Sequence, residues 1–309
     1  MNRNTQKHSY SAAIMPARLV VALLAGAALG LLAQAPGVKI MRDRGEEFEA
    51  LVQKADEYRA AGKLLSAAQV REQLARTSCV VNLPKPATKA LSDRQIWQRS
   101  RESHARLGWH YLCGKCDKWH LGLSGGCFIT PDGVIATCYH VIKPNPEHRQ
   151  ASLVAADEEG RLFPVAEVLA ANEFTDTALV RAQVDAPVKC LALNTNVYPG
   201  DGAWCYSDPL GRAGYFSKGM VNRFYYQKSK DREGIRLEVS TDWAPGSSGS
   251  AVVDEAANVI GLVSTIQPAS STRARGTNQP PAAASTMITF HSAARAADII
   301  ALVKPPARR

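Results

Sequence analysis

Acidic side chains are absent from residues 1–38, and a large basic surplus is absent from residues 105–309. The whole chain of 309 residues has a formal net charge of +9, yet residues 105–309 carry 21 basic and 19 acidic side chains. Nucleic-acid-binding domains concentrate positive charge, so we expect no nucleic-acid partner for this segment. Apolar side chains are not scarce at 46%, which excludes a largely disordered chain.

Charge is missing altogether from residues 19–38, which follow the basic residues Arg3, Lys7 and Arg18. A basic start followed by an apolar run is typical of an export signal, and about 20 residues suffice to cross a bilayer. Ala33-Gln-Ala35 has the form of a cleavage site, but the proline that follows it would hinder cleavage. Residues 1–38 are therefore predicted to be a signal-anchor or a signal peptide. The rest would be anchored in the inner membrane facing the periplasm, or secreted or periplasmic after cleavage.

Residues 39–104 are predicted to form a helical spacer and linker. Apolar residues at helical spacing form a first stripe of Phe48, Leu51, Val52, Ala55 and Tyr58. After a turn at Gly62-Lys63, a second stripe contains Leu64, Leu65, Ala68 and Leu74. The pattern resembles half of a tetratricopeptide-type hairpin, which cannot bury its own apolar face. It would pack on the following domain or bind a partner, and residues 80–92, with two prolines, indicate a linker.

From residue 105 onward, short β-rich runs alternate with turn residues, which predicts an all-β barrel or sandwich. The runs include GCFIT, VIATC, SLVAAD, RLFPVAEVLA, DTALVRAQV, GAWCYS, GMVNRFYY, IRLEVS, AVVD, VIGLVST and STMITF. Residues 292–304 are predicted to form a closing helix with Ser292 as its N-cap. Residues 267–284, rich in Ser, Pro, Ala and Gly, are predicted to form a surface loop.

Three segments place chemically useful residues at predicted strand ends. His140 follows a β-hairpin that turns at Pro131-Asp-Gly133, and Asp176 precedes an apolar strand. Ser248 lies in a glycine-rich turn before another strand. Each residue alone would have an ordinary structural explanation. Together they occur in the order His, Asp, Ser, which is one of the known orders of a serine-protease triad.

These segments resemble the trypsin-like serine proteases, and most closely their bacterial HtrA (Deg)-type branch. The matching motifs are Thr137-Cys-Tyr-His140-Val, Asp176-Thr-Ala-Leu-Val and Pro245-Gly-Ser-Ser248-Gly-Ser. Supporting matches are Tyr206-Ser-Asp-Pro-Leu-Gly211, Gly219-Met-Val and Val259-Ile-Gly-Leu-Val-Ser264. The resemblance covers roughly residues 122–304 and implies a double β-barrel over residues 105–309, with a C-terminal helix. Few residues follow that helix, so we expect no PDZ domain.

The resemblance implies a serine endopeptidase that acts on polypeptides and needs no metal or other cofactor. Ser248 would attack the peptide carbonyl, His140 would carry the proton, and Asp176 would orient and stabilise the imidazolium. The backbone amides of Gly246 and Ser248 would form the oxyanion hole. His140 and Asp176 would come from the first barrel and Ser248 from the second.

Five further residues are candidates around this site. Asp242 lies six residues before Ser248, where trypsin has the aspartate that selects basic side chains, while Val263 and Ser264 are predicted to line the substrate cleft. Ser247 adjoins the predicted nucleophile, but only Ser248 precedes the required glycine. Ser124 matches the G-x-S-x-G nucleophile elbow, which also needs a helix after the serine. A β-hairpin is expected there instead.

Seven cysteines leave the redox chemistry open, because six of them could pair in an exported protein. Cys113 and Cys116 could form a disulfide or a redox pair. Together with His120 they could instead form part of a metal site, although a closed zinc site needs four ligands. Cys127 and Cys138 flank the first hairpin and would be either close together or separately buried.

Two functions from other classes remain alternatives to the protease. One is a catalytically silent protease fold that serves as a binding or scaffold protein of the cell envelope. The other is a redox or metal protein based on Cys113 and Cys116. The redox hypothesis predicts that activity survives in Ser248→Ala but not in Cys116→Ser.

Overall fold

The computed structural model describes residues 40, 41, 46–229, 231–270 and 286–304. The predicted signal segment, residues 1–38, lies outside the described residues. Among the residues that are described, no helix is both long and apolar enough to span a membrane. The chain divides into two units, Met1–Met41 and Arg42–Arg309, and the fold below is that of the described part of the second unit.

Five α-helices and one 3₁₀ helix, Pro209–Gly211, precede, connect and follow the strands of the described chain. The α-helices are numbered α1 to α5. Their bounds are α1 Glu46–Ala60, α2 Ala67–Gln73, α3 Asp93–Ser103, α4 Tyr139–Ile142 and α5 Ala296–Ile300. The α1 helix ends where Gly62 adopts a φ of +66°, and the Lys63 amide donates to the Tyr58 carbonyl at 2.9 Å. Capping boxes begin α2 at Ser66 and α3 at Ser92.

The first sheet closes into a barrel. Its strands are β1 Leu65–Ser66, β3 His104–Cys113, β4 Trp119–Phe128, β5 Val134–Thr137, β6 His148–Asp157, β7 Leu162–Asn172 and β8 Thr177–Ala182. They are ordered β1-β6-β3-β4-β5-β8-β7, and the additional pairing of β6 with β7 closes six of them into a ring. β1 adds to the outside of β6.

The second sheet is a closed six-stranded barrel in the order β10-β11-β14-β13-β12-β9. Its strands are β9 Gly202–Ser207, β10 Tyr215–Ser229, β11 Arg232–Val239, β12 Ala251–Val253, β13 Val259–Ser270 and β14 Thr286–Arg295. A parallel pair of β2 Cys79–Val80 and β15 Val303–Lys304 joins the N-terminal segment to the C-terminus. The described chain is thus mostly β-structure in two barrels.

Residues 46–104 pack on the barrels over most of their length. Leu51 and Ala55 of α1 are buried in a cluster with Leu121, Val154 and Leu162 of the first barrel. Residues 80–92, predicted to be a linker, are hydrogen-bonded to the second barrel. The Ala87 amide donates to Asn258 Oδ1 at 2.7 Å, and the Leu91 amide donates to the Glu255 carbonyl at 2.9 Å. The segment therefore follows the barrel surface with its backbone groups partly paired.

Three local predictions differ from the structure. Leu65, expected in a second helical stripe, lies in β1 opposite Leu153, because its side chain is buried in the barrel core. Ser292 is not an N-cap but pairs with Glu238 in the second barrel, and the closing helix begins only at Ala296. Residues 267–270 of the predicted surface loop belong to β13, and 271–284 lie outside the described residues.

Candidate active site

His140 and Asp176 meet at one end of the first barrel. His140 lies in the single turn of α4 directly after β5, and Asp176 lies in the turn before β8 with a φ of +56°. His140 Nδ1 is 2.9 Å from Asp176 Oδ2, and the His140 amide donates to Asp176 Oδ1 at 3.1 Å. The carboxylate is buried, whereas 46% of the His140 side chain is exposed. This arrangement fixes the imidazole through one nitrogen and leaves its other edge toward solvent.

Ser264 supplies a further hydrogen bond to the same carboxylate. Its hydroxyl donates from β13 of the second barrel to Asp176 Oδ2 at 2.6 Å. Burial raises the pKa of Asp176, but the bonds from His140 and Ser264 outweigh burial, so the pKa lies below its ordinary value. Asp176 is therefore an anion that both barrels hold in place. Ser264 was predicted to line the substrate cleft, and the sequence carried no signal for this contact.

The Ser248 turn is shaped by two glycines with positive φ. Gly246 has a φ of +102°, and the Ser247 amide closes the turn on the Ala244 carbonyl at 3.1 Å. Gly249 has a φ of +86°, and its amide donates to the Val263 carbonyl at 2.7 Å. A Cβ atom on Gly249 would overlap the Gly125 carbonyl and the Thr137 hydroxyl. Only glycine fits between the barrels at this point.

The first barrel also holds this turn from the other side. The Gly125 amide donates to the Ser248 carbonyl at 2.8 Å, and Ser124 Oγ lies 2.9 Å from the same oxygen and 3.2 Å from the Gly246 carbonyl. Ser124 lies within β4, which continues to Phe128 without a following helix. The local structure that a nucleophile elbow requires is thus missing at Ser124.

The predicted oxyanion donors have no competing acceptors. Within the described chain, neither the Gly246 amide nor the Ser248 amide donates a hydrogen bond to another group. Among the same residues, no hydrogen bond joins Ser248 Oγ to the His140 ring. Catalytic hydrogen bonds are often long in ligand-free structures, so the missing bond is compatible with a catalytic pair of Ser248 and His140. The two amides without acceptors are compatible with an oxyanion site.

The two remaining pocket candidates occupy different environments. Asp242 is exposed, and its carbonyl accepts a hydrogen bond from Ser217 Oγ at 3.0 Å. Next to it, Trp243 is buried, with its indole donating to the Thr265 carbonyl at 3.3 Å. Val263 is buried, and its carbonyl accepts from both Gly249 and Cys138 Sγ. Val263 therefore supports the Ser248 turn through its backbone.

A buried charge network below the turn was missed in the sequence analysis. Arg106 of β3 contacts Asp208 at 2.5 Å and Glu158 at 2.9 Å. Two residues after Asp208, the Leu210 amide donates to the Pro245 carbonyl at 2.7 Å, one residue before Gly246. Burial raises the pKa of Asp208, but His104 and Arg106 lower it by more, to well below its ordinary value. The network links the first barrel to the segment that carries the predicted oxyanion amides.

All seven cysteines are free thiols in this structure. Cys113 and Cys116 lie at the tip of the β3–β4 hairpin, with Cys116 Sγ 2.9 Å from His120 Nε2. Cys127 and Cys138 are both fully buried and bond to different groups, Ser103 Oγ and the Val263 carbonyl. Burial raises the pKa of Cys127 to about 12, so this thiol stays protonated.

Comparisons with known proteins agree with a trypsin-like domain. Residues 124–262, which include His140, Asp176 and Ser248, match the family model of the trypsin-like peptidase domain. An uncharacterized protein, y4bJ, of Sinorhizobium fredii (strain NBRC 101917 / NGR234) is 26% identical over 144 residues. That alignment covers 45% of this chain and 21% of the relative, so the chain spans about a fifth of the relative's length. The domain match and the two barrels support a trypsin-like protease fold and a serine-protease type of function.

Proposed function

We propose that the protein is a serine endopeptidase in which Ser248, His140 and Asp176 form the catalytic triad. The observation that carries this proposal is the buried Asp176 carboxylate bound to His140 Nδ1 within the segment that matches the trypsin-like peptidase model. The free amides of Gly246 and Ser248 lie in the turn that carries the serine. This combination supplies a base, a nucleophile and an oxyanion site.

The reaction would proceed through an acyl-enzyme intermediate. Ser248 Oγ attacks the substrate carbonyl while His140 Nε2 accepts its proton, and the oxyanion is held by the Gly246 and Ser248 amides. His140 then donates that proton to the leaving amine. Water attacks the ester in the second half of the reaction and restores Ser248. Asp176 keeps Nδ1 protonated and stabilises the imidazolium in both halves.

A serine-reactive fluorophosphonate probe tests this proposal on the full chain. Wild type should be labelled, and Ser248→Ala should lose labelling together with peptide hydrolysis, by about 10⁴-fold or more. Ser247→Ala is the matched control, because the Ser247 hydroxyl is buried without a hydrogen-bond partner in the described structure. Labelling that persists in Ser248→Ala, or no labelling of the reduced and oxidised wild type, would overturn the proposal.

The catalytically silent binding protein is the second candidate. The observation that favours it is the missing hydrogen bond between Ser248 Oγ and His140 among the described residues. A silent protein would fail to react with the probe while still binding peptides. Peptide binding to wild type without hydrolysis, measured by calorimetry, would support this candidate and contradict the enzyme.

We further propose an HtrA-type enzyme that is exported and acts on polypeptides at the inner membrane. The basic residues and the apolar run in residues 1–38 support export, and the motifs around His140 and Ser248 support the branch. Fractionation of cells that express the full chain or a variant without residues 1–38 tests the location. Equal recovery of both forms in the cytoplasmic fraction would contradict export.

A further inference from the structure

Three potential metal ligands meet at the tip of the β3–β4 hairpin. Cys113 is the last residue of β3, Cys116 lies in the turn, and His120 is the second residue of β4. The two sulfur atoms and one imidazole nitrogen all lie within 4.8 Å of one another. The trypsin-like chemistry proposed above uses none of these side chains.

The turn itself holds the two cysteines on the same side. The Cys113 amide donates to the Lys118 carbonyl at 3.0 Å and closes the hairpin. The Lys115 amide donates to Cys113 Sγ at 3.4 Å, which is the type of contact that orients a sulfur ligand. Arg149 of β6 donates to the Cys113 carbonyl at 3.1 Å and fixes the base of the turn. The cluster is therefore built by backbone geometry rather than by chance contact of long side chains.

We propose that this cluster binds a zinc ion through Cys113 Sγ, Cys116 Sγ and His120 Nε2. Thiolate and imidazole donors together suit Zn²⁺ better than hard cations such as Mg²⁺ or Ca²⁺. Typical zinc bonds place the sulfur and nitrogen ligands about 3.6 Å apart in a tetrahedron. Cys116 Sγ and His120 Nε2 are 2.9 Å apart, so they would move apart by about 0.7 Å on binding. Cys116 is exposed at the hairpin tip, where such a movement meets little resistance.

A water molecule would complete the coordination. His148 on β6 pairs with Cys113 on β3, but it is not part of the group whose ligand atoms all lie within 4.8 Å of one another. The Tyr111 ring of β3 stacks on His148 with centroids 3.7 Å apart and on His120 at 5.6 Å. His148 is thus held in a stack with Tyr111.

The site would be structural rather than catalytic. His120 precedes Gly125 by five residues on β4, and Gly125 contacts the Ser248 carbonyl. Five residues of a strand span about 17 Å, which is too far for the metal to touch the triad. The ion would instead fasten the outer end of the strand whose inner end supports the Ser248 turn.

Cobalt(II) titration of the purified full chain, reduced and metal-free, tests the proposal. One ion per chain should bind and produce a thiolate-to-cobalt charge-transfer band, and Zn²⁺ should displace it. The band should fall to about half in Cys116→Ser and vanish when Cys113 and Cys116 are both serine. His120→Gln should weaken binding by about tenfold or more.

Matched controls separate the site from nonspecific binding. Cys190→Ser removes another partly buried thiol, and His148→Gln removes a neighbouring imidazole outside the three-ligand group, so both should bind cobalt as wild type does. Ser248→Ala should also bind normally, which keeps this test independent of the protease proposal. The absence of the band in reduced wild type, or its survival in the double cysteine variant, would overturn the proposal. If His148→Gln loses the charge-transfer band as the double cysteine variant does, the assignment of the three ligands is wrong.

Discussion

The carboxylate of Asp176 is fixed by donors from both barrels. The ring and the amide of His140 come from the first barrel, and the hydroxyl of Ser264 comes from the second. The motif that contains Asp176 was recognisable because its residues are neighbours in sequence. The role of Ser264 was not, because the contact joins residues 88 positions apart and depends on how the barrels meet.

Ser264→Ala should reduce activity without abolishing it. The variant removes a short hydrogen bond to a buried anion, which is worth about 1.5–3 kcal/mol, so kcat should fall by about tenfold or more. KM should change little, because Ser264 acts on His140 through Asp176. Steady-state kinetics with a peptide substrate measures both constants.

Two further variants control this prediction. Ser264→Thr keeps the hydroxyl and should recover part of the lost kcat. Ser100→Ala removes another buried serine hydroxyl, one without a partner in the described structure, and should leave kcat unchanged. An unchanged kcat in Ser264→Ala would show that Asp176 does not need the third donor.

Ser124 provides a second test at the scale of single residues. Its hydroxyl lies against the Gly246 and Ser248 carbonyls, so Ser124→Ala should loosen the oxyanion turn. We expect kcat to fall by up to about tenfold, with slower but complete fluorophosphonate labelling. Ser124→Thr should restore activity. Complete loss of labelling in Ser124→Ala would instead identify Ser124 as the nucleophile.

Secondary structure elements differ in how well local patterns predicted them. The hairpin that leads to His140 and the strands on either side of Ser248 follow short alternating or apolar runs bounded by turns. β3 was missed because six residues of His104–Cys113 are buried without a regular alternation, and the strand mixes His, Arg and Gly with its apolar residues. Its burial reflects pairing with both β4 and β6, which local periodicity does not encode.

The packing of α1 yields a prediction at the scale of this element. Leu51 is buried against the first barrel, so Leu51→Ala should lower the free energy of unfolding by about 2–4 kcal/mol. Gln53→Ala, on the exposed face of the same helix, should change it by less than about 0.5 kcal/mol. Urea denaturation followed by fluorescence measures both. Equal stability of the two variants would mean that the helix is a spacer that contributes nothing to the folded unit.

Across the whole molecule, charged groups link the two barrels below the active site. Arg106 on β3 lies between Glu158 and Asp208, and the Tyr206 hydroxyl donates to Glu158 Oε2 at 3.1 Å. The sequence predicted two barrels with the cleft between them, but not this network. Its members come from three separated segments, and none belongs to the triad motifs. Only the docking of the barrels brings them together.

The network predicts how stability depends on pH. His104, Arg106 and the Gly214 amide face Asp208, with Glu158 on the other side of the arginine. Because the pKa of Asp208 in the folded protein lies well below its ordinary value of 3.8, its ionised form stabilises the fold above about pH 4. That contribution is lost as the pH falls through the folded-state pKa, since the unfolded chain takes up the proton first.

Asp208→Asn should therefore flatten the acid side of the stability profile. At pH 7 the variant should lose about 3 kcal/mol of unfolding free energy, because Arg106 loses one of its two carboxylate partners. Below about pH 4 the wild type should lose stability more steeply than the variant, by up to about 1.4 kcal/mol per pH unit. Urea unfolding at pH 7, 4 and 3 measures the difference, with Asp201→Asn on an exposed turn as the control. If the unfolding free energies of wild type and Asp208→Asn change in parallel with pH, Asp208 takes up its proton equally in the folded and unfolded chains. The inter-barrel network would then have no part in acid unfolding.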